Sequence, residues 1–294
     1  MKNELQIKEN IRLENYTTIK VGGCSDYFAE PAEINEFVNL IEWARSSQLE
    51  CLIIGAGSNT LIKNISFKKL TICTKKMNSI KVLSDAGIVC AASGASLPSL
   101  ASSLAQNRCT GGEWTVGIPG TIGGAIFMNA GAGEQSISKH LISVKVIDPI
   151  SLNIYEIDKK EINFDYRFSS FQQNNLLILE AKFYFKPDGK KKEIIQKTKR
   201  ILERRKKLQP YHLPSFGSVF KNPPNNFAGK LIEDCGLKGL SIGGAEVSNM
   251  HANFIVNNSS ATSEEIFKLI LLIQQKVLEK KGIFLHPEVR MIGF

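Results

Sequence analysis

The sequence has no C-x-x-C pair, no H-x-x-x-H spacing and no Walker A stretch, and each absence removes a class of function. Six cysteines, at positions 24, 51, 73, 90, 109 and 235, are too far apart for a zinc ribbon or a redox dithiol, in a chain too large to need disulfide staples. They are expected to be reduced and mostly buried. His140, His212, His251 and His286 form no cluster with ligand spacing, so no metal is expected. The opening residues MKNELQIKENIRLEN alternate charge with apolar side chains and contain no uninterrupted apolar stretch, so a cytoplasmic protein without an export signal or membrane anchor is expected. No repeat or low-complexity tract interrupts the chain.

What is present is ordinary in bulk and unusual in two places. A chain of 294 residues, 43% hydrophobic and 22% charged, is long enough for two cored domains. Lysine and arginine exceed the acids by 37 to 28, which favours anionic partners. Much of that excess lies in KKKEIIQKTKRILERRKK, from Lys190 to Lys207. No aromatic residue interleaves this run and no nucleic-acid motif accompanies it, so it reads as a solvated helix face and no nucleic-acid partner is expected.

The second unusual stretch is WTVGIPGTIGGAIFMNAGAG, from Trp114 to Gly133, uncharged and carrying Gly117, Gly120, Gly123, Gly124, Gly131 and Gly133. Its length approaches a membrane span, but its glycines, Pro119, Thr121 and Asn129 make a poor bilayer helix. Glycine exposes bare backbone N–H groups and admits a ligand at contact distance. Upstream, Gly55-Ala56-Gly57-Ser58-Asn59 directly follows the strand-like CLII, and backbone amides in such a turn form a nest suited to a pyrophosphate. It is not a Rossmann fingerprint, because Thr60 stands where the third glycine would be. Two such loops about sixty residues apart suggest a two-part cradle, one part for a diphosphate and the other, with Pro119, Gly120, Thr121, Gly123, Gly124 and Asn129, for a flat ring system.

Periodicity places a helix from Glu33 to Ala44, and Ser96 with Pro98 opens another that runs to about Gln106. Strands are expected over 142–148 and 176–185, the basic helix after Pro187-Asp188-Gly189, a strand at ANFIVN, and a last helix opened by the capping box Thr262-x-x-Glu265 and closed by Gly282. The fold class is α+β, with domains at 1–187, subdivided near 75–80, and at 188–294. Three clusters mix ionisable and hydroxyl groups with aromatic and proline residues: Tyr166-Arg167-Phe168-Ser169, Pro214 to Pro223, and His286-Pro287-Glu288-Val289-Arg290.

The ordered series TTIKVGG, GAGSN, GIPGTIGGAIFMNAGA, YRFS, GSVFKNP, VSNMHANFIVN and HPEVR resembles the UDP-N-acetylenolpyruvoylglucosamine reductase family, from about residue 10 to the end. The resemblance implies a flavin fold of the vanillyl-alcohol-oxidase (PCMH) type, its FAD-binding domain made of two subdomains, followed by a C-terminal α+β substrate-binding domain. FAD would be bound without a covalent link, although Cys109 lies near enough in sequence to raise the question. Only fifty-one positions separate Arg167 from Ser218, and the basic helix fills most of them, so the chain resembles the shorter type without a tyrosine-bearing capping loop.

By the same resemblance, NADPH supplies electrons and a hydride passes from flavin N5 to the enolpyruvyl ether of a UDP-sugar. Arg167 would steady the charge that develops on the substrate carboxylate, Ser218 would donate the proton to carbon, and Glu288 would assist from the opposite side. A guanidinium suits the first task, since it stays charged and grips a carboxylate with two donors. A serine hydroxyl is a poor acid and needs local help, which Lys221 could supply if the turn after Ser218 were helical. Asn222, Lys221 and the end of the basic run at Lys207, with Lys206 equally placed, are the candidates for the UDP diphosphate. Phe216 stands where the family pattern suggests a small residue, which would tighten the pocket. A monomer is expected. The alternative class is another FAD-dependent oxidase of the same fold.

Overall fold

The computed structural model describes residues 4–294. Phe37, Leu40, Ile41 and Ala44 recur at helical spacing and form the buried stripe of the helix Ile34–Ser46. That stripe packs with Leu70 and Ile72 in one core over a sheet of four strands. Their spatial order is Lys8–Arg12, Cys24–Ala29, Ser66–Cys73, Glu50–Ile54. Glu50–Ile54 runs parallel to Ser66–Cys73, with Ile53 opposite Ile72, and its carboxyl end delivers the chain at Gly55.

A second sheet is antiparallel throughout, in the order Ile154–Asp158, Leu141–Ile147, Leu177–Tyr184, Ile88–Ala92, Ile80–Leu83. Leu179, Ala181 and Phe183 alternate inward along the third of these strands, the period expected of a half-buried sheet. The helix Leu97–Gln106 opens as its sequence signals: the Ser96 hydroxyl accepts the Ser99 N–H at 3.0 Å and Pro98 sits in the first turn. The glycine-rich segment contains a short helix, Ile122–Phe127, that the periodicity does not foretell, because its glycines dilute the apolar pattern.

The remaining core gathers around Phe254–Asn257, which lies between Ser215–Ser218 and Ala245–Val247, with Ser241–Ile242 at the edge. The helix Ser263–Lys281 starts in the expected capping box and ends at Gly282 with φ +67°. Its stripe of Ile266, Leu269, Ile270, Ile273 and Val277 is buried with Ala245, Val247 and Ile255. A parallel pair, Thr60–Ile62 with Arg290–Ile292, joins the same core through Leu61.

The chain divides into two compact units. One comprises the segment ending at Glu9, Asp26–Ala56 and Lys68–Arg204; the other comprises Asn10–Ser25, Gly57–Phe67 and Arg205–Phe294. The sequence suggests a boundary after residue 187 and a subdivision near 75–80; the passage between the two compact units falls inside the basic helix Lys191–Leu208, and two early segments group with the C-terminal unit. The cause is burial: Ile19, Val21 and Leu61 share a core with Phe216, Ile255 and Ile270, and local periodicity does not reveal such distant partners. Among the described residues all six cysteines are free, three of them buried and three half-buried, and burial pushes the Cys51 thiol up to about 11. No helix of the described residues is long and apolar enough to cross a membrane.

Candidate active site

In the unit ending at Phe294, three segments converge on Ser218. The strand Ser215–Ser218 pairs antiparallel with Phe254–Asn257 through a bulge at left-handed Gly217, φ +79°. On its other side the backbone N–H of Glu288 donates to the Val219 carbonyl at 2.7 Å, and the Lys221 N–H donates to the His286 carbonyl at 2.9 Å. Ser218, at the end of its strand, and Glu288, in the extended segment before Arg290–Ile292, are thus carried on neighbouring stretches of backbone. Asn59 supports the second stretch, donating from Nδ2 to the Glu288 carbonyl at 3.1 Å and accepting the Arg290 N–H at 3.0 Å.

The TTIKVGG motif acts here as a bracket. Thr18 Oγ1 donates to the Ser215 carbonyl at 2.6 Å, while its backbone N–H donates to the Gly57 carbonyl at 3.1 Å. Gly57 itself has φ +61°, and a Cβ there would collide with the Tyr16 carbonyl, so only glycine serves. The motif alone assigns Thr18 no role. A residue that bonds two distant backbones, one through its hydroxyl and one through its N–H, leaves no local signature.

In the other unit, Arg167 occupies the tip of a tight hairpin, Phe164–Asp165 against Phe168–Ser169. Its φ is +54°, uncommon for a side chain with a Cβ, and such strain recurs at functional positions. The guanidinium lies 5.1 Å from the Tyr166 ring and donates from Nη2 to the Gly131 carbonyl at 3.2 Å. The hairpin is fastened to the glycine-rich segment: Asn129 Nδ2 donates to the Asp165 carbonyl at 2.8 Å, and the Ser169 hydroxyl donates to the Phe127 carbonyl at 2.8 Å. Gln172 Nε2 adds bonds to the carbonyls of Phe127 at 2.8 Å and Arg167 at 3.2 Å. Asn129 is buried, and its amide supports the Arg167 hairpin.

The two glycine loops meet within that same unit. A Cβ at Gly55 would collide with Thr121 Oγ1, so the backbone of the first loop lies directly on the second. Among the described residues, the backbone N–H groups of Ala56, Gly120 and Thr121 have no protein acceptor. Gly124 is exposed, and a Cβ there would meet only Thr121 Oγ1 at 3.5 Å, an ordinary contact. Free amides and a glycine that protein packing does not require fit a large planar anionic cofactor such as FAD. Pro119 is exposed beside them, and Gly123 is held by its N–H to the Ser93 carbonyl at 2.8 Å. The division between units falls inside the first loop, so Gly57, Ser58 and Asn59 belong with Ser218.

Two expectations change. Phe216 is 1% exposed and lies in the core with Ile255 and Ile270, so it does not tighten a pocket. The residues after Ser218 are extended, with Phe220 bridged to Pro287, so Lys221 is not placed on a helical turn to assist Ser218. Asn222 Oδ1 accepts the Ala228 N–H at 3.0 Å and holds the first turn of the helix Ala228–Asp234. Lys207 is exposed in the last turn of the basic helix. Cys109 is fully buried, which takes its thiol out of reach of a cofactor.

Comparison with known proteins agrees with this layout. Residues 25–150 match an FAD binding domain, and residues 209–292 match the C-terminal domain of UDP-N-acetylenolpyruvoylglucosamine reductase. The chain is 60% identical over its full length to the enzyme of that name from Prochlorococcus marinus subsp. pastoris, covering 99% of it. It is 44% identical to that from Prochlorococcus marinus strain MIT 9313, over 97% of this chain and 92% of the other. The crystal structure of UDP-N-acetylenolpyruvylglucosamine reductase from Thermus caldophilus aligns with a TM-score of 0.82 at 28% identity, over 97% of this chain and 99% of that one. The chain belongs to the UDP-N-acetylenolpyruvoylglucosamine reductase family, an FAD-binding domain joined to that family's C-terminal domain.

Proposed function

We propose that the protein reduces UDP-N-acetylglucosamine enolpyruvate to UDP-N-acetylmuramate for peptidoglycan synthesis, with NADPH as the electron source. The observation that carries this reading is the 2.7 Å bond from the Glu288 N–H to the Val219 carbonyl, which seats a candidate proton donor and a candidate carboxyl group on adjacent backbone segments. Bound FAD would supply the two-electron store, taking a hydride from NADPH and delivering one to the terminal enolpyruvyl carbon. Backbone amides of Gly55 to Asn59 and of Gly120 and Thr121 would hold it, without a covalent link.

Arg167 would grip the substrate carboxylate and stabilise the negative charge that builds beside it. Ser218 would deliver its hydroxyl proton to the carbon next to the carboxylate, so that one hydride and one proton saturate the double bond. A hydroxyl this weakly acidic works only when held in line with the accepting carbon, and two flanking segments give the Ser218 backbone that fixity. Glu288 would assist from the other face as a carboxyl group whose O–H donates a hydrogen bond where that negative charge builds. Lys207, Lys221 and the Asn222 amide would receive the UDP diphosphate. The protein would act as a cytoplasmic monomer.

The test is an anaerobic spectrum. NADPH should bleach the flavin absorbance, and the enolpyruvyl UDP-sugar should restore it. In Ser218→Ala the bleaching should persist while the restoration slows at least about 100-fold, the lower end of a general acid's usual contribution. Equal loss of both steps would make Ser218 structural.

A further inference from the structure

We propose that Asn253 is a positioning residue for proton transfer, setting Ser218 against Glu288; this rests on the assignment of Ser218 as the proton donor. Asn253 is 4% exposed and lies at the entry of the strand Phe254–Asn257, between Ala252 and the apolar run Phe254-Ile255-Val256. A buried amide at such a place is costly unless its hydrogen bonds are made. Here they are made with a single neighbouring residue. Asn253 Oδ1 accepts the Phe220 N–H at 3.0 Å, and Nδ2 donates to the Phe220 carbonyl at 2.9 Å. Its own carbonyl accepts the Val219 N–H at 2.9 Å.

The geometry explains why a side chain takes this task. Ser218 faces Phe254, the first residue of its partner strand, so regular pairing stops there and Val219–Phe220 run beyond its end. The Asn253 amide substitutes for the missing peptide group and continues the ladder past Ser218. On the opposite edge the Val219 carbonyl takes the N–H groups of Glu288 at 2.7 Å and Val289 at 3.4 Å. Val219–Phe220 is therefore gripped from both sides, and Asn253 forms one of the two grips. Losing its side chain would leave Phe220 without a partner on that side and the Ser218 segment held there by backbone pairing alone, looser against the substrate. A misplacement of about 1 Å costs on the order of 100-fold in rate.

Two variants and two measurements test this in the FAD-loaded protein. In Asn253→Ala, backbone hydrogen exchange should accelerate over 216–222 and 286–290 together. Restoration of flavin absorbance by the enolpyruvyl UDP-sugar should slow about 100-fold while bleaching by NADPH changes less than about twofold. Asn253→Asp should behave similarly when ionised, because a carboxylate cannot donate to the Phe220 carbonyl. Its rate relative to the parent protein should recover as pH falls, because a protonated carboxyl again offers both a donor and an acceptor. Exchange that rises only near residue 253, or equal slowing of both half-reactions, would overturn the proposal. If Asn253→Ala does not fold, the pH recovery of Asn253→Asp decides. A parent protein whose bleached flavin is not restored by the UDP-sugar would refute the proposed function instead, and the exchange experiment would still decide whether Asn253 links the two segments.

Discussion

Gly124 is a glycine that neither close packing nor a left-handed backbone requires. It lies inside the helix Ile122–Phe127, is exposed, and has room for a Cβ, with Thr121 Oγ1 at 3.5 Å as its nearest neighbour. In the cofactor-free protein Gly124→Ala should therefore stabilise, since glycine in a helix interior costs roughly 0.5–1 kcal/mol relative to alanine. For a unit of this size that raises the melting temperature by about 1–4 °C. If Gly124 is bare so that FAD can lie against its backbone, the same methyl must push the cofactor away. Overpacking by one methyl costs about 1–3 kcal/mol, or roughly a 5- to 150-fold weaker Kd. Thermal melts of the cofactor-free protein and fluorescence titration with FAD measure the two effects separately. A variant that gains stability and binds FAD as tightly as the parent would refute the close approach, and one that loses stability would refute the reading of the helix.

Arg167→Gly should leave the hairpin folded or stabilise it by about 1 kcal/mol, because glycine relieves the left-handed backbone. It should slow the substrate half-reaction by about 100- to 1000-fold, the usual loss when one charge-stabilising donor is removed; melts and stopped-flow traces check both halves. Glu113 is buried, and although burial raises its pKa, the Thr110 hydroxyl, backbone N–H groups and Lys197 together hold it below the ordinary carboxylate range. A native pKa below the unfolded one gives stability that is complete above about pH 4.3 and is lost as pH falls through the native value. Glu113→Gln should flatten that acid limb in urea melts between about pH 5 and 2, and an unchanged slope would remove Glu113 as its source.

The local signals were legible because they are short-range. The Ser96 cap, the Thr262–Glu265 box and the Gly282 stop involve groups a few residues apart, and each is where the sequence puts it. Alternation along Leu177–Tyr184 needs no partner to be recognised either. Phe216 shows the limit. Its apolar character is plain, but whether it faces the core or a pocket depends on a bulge at Gly217 that only the pairing with Phe254–Asn257 reveals. Asn129 is similar: its residue type invites a ligand, and its partners, Asp165 and Ser138, lie in other segments. Asn253 has the opposite signature, a polar side chain entering an apolar strand. That pattern marks a satisfied buried amide without naming what satisfies it.

The loop Gly55–Asn59 shows why one motif can resist both substitution and simple interpretation. Gly55 has no Cβ because Thr121 lies against it, and Thr121 in turn accepts the Gly124 N–H at 3.4 Å to cap the short glycine-rich helix. Two residues later Gly57 is glycine for a different reason, its left-handed backbone pressed on the Tyr16 carbonyl. Asn59 then spends its amide on the Glu288 carbonyl, in the unit that carries Ser218. A regular phosphate loop would need only the amides. Here the residues of the loop also meet other demands: Gly55 lies against Thr121 within one unit, and Asn59 holds the Glu288 backbone within the other. Their residue types therefore follow from three separate steric and hydrogen-bonding demands, of which anion binding is only one.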